Sequence, residues 1–313
     1  MRPKDRELAG TLDARLRSFD SEERSLPGIR AGTNRAAFIE QLLESIRRIK
    51  YIALIRNQQL SVARADPTSD RFDPIKAAIL SMREGQIDGA FWFVFLSVHF
   101  GKHRIDGWRL ARDIYGGLGL AEPWDWARTS ADPRRFRRWL GENQTRLRSK
   151  GVRRRFGNHR KYQSLDAWKP NGTGAAFESY VDWVGGRHSH EALVHNASNH
   201  AQGNPKAAFE YLYRSMVAVA SFGRTARFDY LTMLSKLGLA PIEPGSTFME
   251  GATGPYSGAV LLFGGNAGAT PSRLVLDDYL QRLGAHLGVG MQVMEDALCN
   301  WQKSPSRFKA FRG

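Results

Sequence analysis

The 313-residue sequence predicts an all-α protein. Three observations carry that prediction. Apolar residues recur at helical spacing along most of the chain. No run alternates apolar and polar residues for long enough to build a real sheet. Helix punctuation, a polar cap before or a glycine after, stands at the ends of the periodic segments. No internal repeat is present.

Residues 1–33 are polar and charged, broken by Pro27 and Gly28. They predict an N-terminal arm, either frayed or a short peripheral helix. Asn34 is placed to cap a helix reaching about Leu60, with Phe38, Leu42, Ile46 and Ile49 near one face. Asp73–Pro74 opens a short helix that stops near Gly85, because proline suits the first helical position. Ile87 to Phe100 is apolar almost all round and predicts a helix deep in the core. Its most apolar part, Ala90–Val98, is too short to span a bilayer. Gly172 to Ala201, rich in Gly, His and Asn, is expected to be irregular. Helices then follow over Lys206–Ala220 and Arg224–Leu237, the second closed by Gly238. Pro241 and Pro244 mark Ala240–Thr247 as a loop. After a glycine turn at Gly251 come a short helix near Ser257–Phe263, a glycine-rich connection, and helices over Ser272–Leu287 and Gly290–Lys303. The resulting division is an arm (1–33), a helical lobe (34–127), a basic, partly irregular DNA-contacting segment (128–205) and a final lobe (206–313), all in one compact unit.

Lys and Arg number 46 against 31 Asp and Glu, a formal charge of +15. That balance favours a polyanionic partner, nucleic acid before an anionic membrane surface. The charge is concentrated. Between Arg128 and Lys161, thirteen Lys/Arg face only Asp132 and Glu142. Arg134, Arg135, Arg137 and Arg138 surround Phe136 and Trp139, and Arg153, Arg154 and Arg155 follow. So many like charges repel one another unless an anion neutralises them, so these seven arginines are candidate contacts to a DNA backbone.

Cys299 is the only cysteine. It permits no disulfide within the chain and no four-cysteine zinc or iron–sulfur site, which fits a reducing cytoplasm. The charged start MRPKDRELAG lacks the apolar run of a signal peptide, so a cytoplasmic location without membrane attachment is expected. His188, His190, His195 and His200 suggest a metal site, but His190 and His195 are five apart and match no zinc-helix spacing. No metal and no other cofactor is expected. His195, Asn196 and Asn199 are instead candidates for contacting a base or sugar.

The stretch Gly251–Leu283 joins a glycine-rich turn to a pair of carboxylates. Backbone N–H groups of such a turn can hold a phosphate. A carboxylate one helix later can stabilise a cation beside it. The spacing Gly251-x-x-Gly254-Pro255, then Gly258-Ala259, resembles the helix-hairpin-helix of DNA-repair glycosylases, with one extra residue between the glycines and one before the alanine. A simple helix connector is the other reading. Leu276-Asp277-Asp278-Tyr279-Leu280-Gln281-Arg282-Leu283 resembles the family frame V-D-T-H-x-x-R-V. The resemblance makes Asp277 the catalytic carboxylate, with Asp278 as the fallback, and Gly251, Gly254, Tyr256 and Ser257 the phosphate-binding hairpin. Alternatively, the two aspartates favour a helix start through its dipole. Tyr256 and Ser257 stand where strand-cutting members carry a lysine, which implies base removal that leaves an intact abasic strand.

A second resemblance covers more of the chain. Asp88–Leu96 (DGAFWFVFL), His99–Gly101, Ser221–Leu234 (SFGRTARFDYLTML), Leu239–Ser246 (LAPIEPGS), Gly251–Pro255 and Met294–Cys299 are similar to the alpha-glutamyl/putrescinyl thymine pyrophosphorylase family, clade 3. The resemblance implies a two-lobed helical fold of the helix-hairpin-helix glycosylase type. It also implies double-stranded DNA with modified bases as partner, and excision of a bulky modified pyrimidine such as glucosylated hydroxymethylcytosine from phage DNA, in anti-phage defence. Arg224, Arg227, Asp229 and Glu243, polar residues in these blocks, become candidates for a base or phosphate pocket. Asp229 has the alternative of pairing with one of those arginines. Two other functions stay open: a transferase elaborating a pyrophosphorylated hydroxymethyl-uracil, and a non-catalytic DNA-binding module.

Overall fold

A computed structural model describes residues 3–264 and 271–310. The described chain is helical, with two isolated β-bridges and no strand. In order, the α-helices are α1 (Arg6–Glu22), α2 (Gly32–Asn57), α3 (Pro74–Arg83), α4 (Ile87–Phe100), α5 (Arg109–Tyr115), α6 (Trp126–Ala131), α7 (Pro133–Leu147), α8 (Thr173–Val184), α9 (His190–His200), α10 (Pro205–Ser215), α11 (Arg224–Leu237), α12 (Gly254–Gly264), α13 (Arg273–Leu287) and α14 (Met291–Trp301). Part of the glycine-rich connection before α13 lies outside the described residues. No described helix is long and apolar enough to cross a membrane.

The chain forms two compact units. Unit 1 joins its two ends, Met1–Ala53 and Pro244–Arg312; unit 2 is Leu54–Glu243. The core of unit 1 is built from one face of each of its helices. Leu12, Leu16 and Phe19 of α1, Phe38, Leu42 and Leu43 of α2, Leu276, Leu280 and Leu283 of α13, and Met294, Leu298 and Trp301 of α14 are all fully buried. The polar opening segment is therefore neither frayed nor peripheral. Its apolar residues recur every three to four positions and give α1 one inward stripe. α12 lies against α14 at very close range. A Cβ on Gly258 would sit 2.5 Å from the Leu298 carbonyl oxygen, and one on Gly254 would sit 2.8 Å from Cys299 Sγ. α2 begins two residues before Asn34, whose side chain donates to the Gly28 carbonyl at 3.0 Å instead of capping.

Unit 2 is arranged around α4, which is buried at every position from Ala90 to Phe100. An aromatic cluster surrounds it. Phe95 stacks on Tyr180 at 4.0 Å between centroids, and Phe136 of α7 stacks on Phe177 of α8 at 4.1 Å. The segment 172–201, expected to be irregular, contains α8 and α9. Its glycines lie at helix boundaries, while Ala176, Phe177, Tyr180 and Val181 supply a buried face. Ser189 caps α9 by accepting from the Ala192 N–H at 3.2 Å. α3, α4 and α11 start where the sequence placed them, with Asp73 capping α3 by accepting from the Lys76 N–H and Gly238, left-handed at φ +72°, closing α11.

Candidate functional site

Asp277 lies on the second turn of α13, between the buried Leu276 and the half-buried Tyr279. Its carboxylate accepts three hydrogen bonds from the loop before α12. Oδ1 takes the Thr247 N–H (3.2 Å) and the Thr247 hydroxyl; Oδ2 takes the Met249 N–H (2.9 Å). One turn earlier, Arg273 binds the same loop from the other polarity. Its Nη1 donates to the carbonyls of Met249 (2.6 Å) and Ala252 (2.8 Å), and its guanidinium lies 3.8 Å from the Tyr256 ring centre. An i, i+4 pair thus clamps the loop, the carboxylate on its amides and the guanidinium on its carbonyls. This places Asp277, Gly251, Gly254, Tyr256 and Ser257 in one unit, with Tyr256 joined to the clamp through the Arg273 guanidinium. Asp278 points elsewhere: it is exposed and pairs with Arg282 across one turn at 3.0 Å.

The turn's glycines have separate structural reasons. Gly251 is left-handed at φ +72°, and Gly254 and Gly258 admit α14. Residues 238–253 separate α11 from α12, so no helix immediately precedes the 251–255 turn. A short helix–turn–helix does occur between α10 and α11. Residues 219–223 link the 3-10 turn Met216–Ala218 to α11, with Ser221 left-handed at φ +66° and Gly223 at the cap.

In unit 2 the structure divides the seven candidate backbone-binding arginines. Asp132 caps α7 by accepting from the Arg135 N–H (2.9 Å), and Phe136, Leu140 and Leu147 face inward. Arg134, Arg135 and Arg138 therefore share the outer face, Arg134 being 81% exposed with its Nε 3.5 Å from Glu178 and Arg138 lying 3.3 Å from Asp132. Arg137 turns back to Glu178 and the Ala167 carbonyl. Arg153 is exposed. Arg154 is only 9% exposed and pairs with Asp113 at 2.6 Å. Arg155 binds Asp106 through two nitrogens, at 2.7 and 3.0 Å. The acids that balance the basic segment are distant in sequence.

The remaining candidates also lie in unit 2. His195, Asn196 and Asn199 sit on the exposed side of α9. Arg224 is buried beneath α11's first turn, 5.0 Å from the Phe228 ring centre. Arg227 donates to the Tyr213 carbonyl at 3.0 Å and covers its ring, while its Nε is buried without a partner. Asp229 pairs with neither of them but with the buried Arg160, at 2.9 Å. Glu243 is exposed, its N–H donating to the Pro205 carbonyl at 3.1 Å.

A buried polar chain escaped the sequence reading. His190 Nδ1 and its backbone N–H both lie 2.7 Å from Asp88 Oδ1. Its Nε2 is 2.7 Å from Tyr180 Oη, itself 2.7 Å from Tyr230 Oη. Burial lowers the imidazole's pKa despite the carboxylate, and the His190 bonds keep Asp88 below the usual carboxylate range. The neutral ring donates from Nδ1 to Asp88 and accepts at Nε2 from Tyr180, which accepts from Tyr230. Every proton has a taker. The chain fixes Asp88, whose side chain is 39% exposed, at the surface of unit 2. Among the described residues, no group of three His, Cys, Asp or Glu is placed to hold a metal ion.

A family model described as alpha-glutamyl/putrescinyl thymine pyrophosphorylase clade 3 matches residues 33–313. No curated protein and no solved structure matches the chain.

Proposed function

Because the chain belongs to the alpha-glutamyl/putrescinyl thymine pyrophosphorylase clade 3 family, we propose that it is an enzyme of modified-base DNA that removes a bulky modified pyrimidine by hydrolysing its N-glycosidic bond. Membership ties it to modified-thymine chemistry, and the outward arginines of α7 suit a strand partner. The observation that carries base removal is the Asp277 carboxylate, held by three donors beside a glycine turn.

Cleaving a glycosidic bond puts positive charge on the sugar, in an oxocarbenium-like state. A carboxylate already fixed by protein donors stabilises that charge without reorganising, and so favours the transition state over the neutral substrate. Water then adds its oxygen to the sugar carbon and its protons go to Asp277 or solvent and to the departing base. The products are a free base and an abasic strand. The α12 start offers Tyr256 and Ser257 and no lysine, so strand cleavage through a Schiff base has no nucleophile there.

The family's description favours a second reading, a transfer reaction in which pyrophosphate leaves a hydroxymethylated base and an amine-bearing group takes its place. The product separates the two. The chain is incubated with modified and unmodified phage DNA, with glutamate and putrescine supplied as amine donors, and released bases and digested strands are analysed by mass spectrometry. Free modified base with matching abasic sites supports excision. An elaborated base still on the strand supports transfer. Unchanged DNA in every sample overturns both.

A further inference from the structure

Unit 1 holds a second chemical arrangement away from the Asp277 clamp, where α1 meets the last turn of α13. Ser18 Oγ of α1 lies 2.8 Å from His286 Nε2 of α13, and His286 Nδ1 lies 3.1 Å from Oε1 of Glu23, the residue that caps the end of α1. A hydroxyl and a base about 2.6–3.2 Å apart, with the base oriented by a third group, are the mark of an activated nucleophile.

Both helices are held in the register that makes these contacts. Leu12, Leu16 and Phe19 turn the apolar stripe of α1 inward. Phe19, next to Ser18, packs edge-on against the imidazole, with 5.5 Å between ring centroids. Arg15, one turn before Ser18, donates Nη1 to the Leu287 carbonyl at 2.8 Å. Gly288 then closes α13 in the left-handed region, at φ +69°, and a Cβ there would lie 2.7 Å from Arg15 Nη1. Ser18 is half-buried, and the side chains of His286 and Glu23 are 23% and 40% exposed, so the group is reached from solvent.

The carboxylate sets the direction of the protons. It can only accept, so the neutral imidazole carries its proton on Nδ1 and presents a lone pair at Nε2. Ser18 therefore donates to Nε2; its other acceptor, the Arg15 carbonyl, is farther away at 3.2 Å. Arg15 spends one nitrogen on Leu287. As the i, i+3 neighbour of Ser18, it keeps further N–H groups for an oxygen that turns anionic beside the hydroxyl.

We infer that Ser18, His286 and Glu23 form a nucleophilic triad that hydrolyses small carboxylic esters. Ser18 Oγ bonds to the ester carbon as His286 Nε2 takes the hydroxyl proton, and an Arg15 N–H meets the carbonyl oxygen as it becomes anionic. The carbon–alkoxy bond then breaks, and the alcohol leaves with the proton from Nε2. Water follows the same route: Nε2 takes one of its protons, its oxygen bonds to the acyl carbon, and Ser18 leaves with that proton, releasing the acid. Glu23 holds the Nδ1–H throughout and offsets the imidazolium charge. An open surface site grips little beyond the reacting group, which suits a small acyl group. None of these residues belongs to the Asp277 clamp, so ester cleavage and base removal stand or fall separately.

The full chain is incubated with p-nitrophenyl acetate and, separately, with a fluorophosphonate probe, beside Ser18→Ala, His286→Gln and Glu23→Gln, with a melting curve for each. The wild type is expected to release nitrophenol and to carry the probe on Ser18, located by peptide mass spectrometry. Ser18→Ala loses the label and hydrolyses the ester at the background rate. His286→Gln slows both reactions about a hundredfold, the lower end of what a positioned base contributes. Glu23→Gln slows them about tenfold with its melting temperature kept, because an amide can also donate to Nδ1 and so permits the wrong tautomer. If His286→Gln does not fold, Glu23→Gln, at an exposed position, decides alone. A wild type that cleaves the ester no faster than Ser18→Ala, a probe that spares Ser18, or rates unchanged in either folded glutamine variant overturns the inference.

Discussion

Asp277 and Asp278 are chemically alike and adjacent, yet the helix separates their roles. With α13 starting at Arg273, Leu276 and Leu280 face the core, Asp277 meets the loop at Thr247, and Asp278 meets Arg282 in solvent. In the sequence only the family frame preferred Asp277, with Asp278 as fallback; Thr247, thirty residues away, was not legible, because no local pattern encodes a loop's return. Asp277→Asn leaves one acceptor oxygen for three donors, and is expected to lower base release at least a hundredfold and stability by about 1–3 kcal/mol, with DNA affinity within threefold. Rates, melting curves and DNA titrations check it; Asp278→Asn, which loses only an exposed pair, should change none of them appreciably. His99 gives a second residue-scale prediction. Thr173 donates to the Ser164 carbonyl and so accepts from His99 Nε2–H at 3.1 Å, which sets the tautomer of the ring. Burial, and then the Arg160 guanidinium, pushes its pKa down to about 3. The unfolded value is near 6.5, so below that pH the unfolded chain takes up a proton that the folded chain refuses. Stability is therefore full above about pH 6.5 and falls toward pH 3, with His190 acting in the same direction. Melting temperature should drop between pH 7 and 5, and drop less in His99→Gln.

At the scale of elements, two contacts carry predictions. α12 meets α14 through Gly258, where a methyl group would press on the Leu298 backbone. Gly258→Ala should destabilise the chain by about 1–3 kcal/mol, read from chemical denaturation, because a backbone carbonyl cannot rotate away as a side chain can. In the sequence this glycine read only as part of the small Gly258-Ala259 pair of the hairpin resemblance; the neighbouring helix shows what it admits. α7 makes the opposite point. Counting charges in a window showed where the arginines cluster but not which are turned inward onto acids, because Asp106, Asp113 and Glu178 lie outside the window. Replacing Arg134, Arg135 and Arg138 with Gln should flatten the salt dependence of DNA binding by up to about three contacts, each worth about 0.9 in slope. Arg154→Gln should instead lower the melting temperature, since it leaves Asp113 short of its buried partner.

At the scale of the molecule, the helical class and most helix ends were legible, because periodicity and caps are local. The assembly of unit 1 from both chain ends was not. α1 and α13 are joined by contacts such as Arg15 Nη1 donating to the Leu287 carbonyl at 2.8 Å, which no window of sequence contains. The segment of α8 and α9 misled for another reason: its glycines and histidines mark helix ends and a buried relay, though their composition reads as loop. The family and the Asp277 clamp together make the central claim, that the chain releases a modified pyrimidine from DNA. Mass spectrometry of bases freed from modified DNA by the wild type and by Asp277→Asn tests it most directly. The account predicts free modified base and matching abasic sites with the wild type and at least a hundredfold less with the variant. Equal release by both, or none by the wild type from any modified DNA, would contradict it.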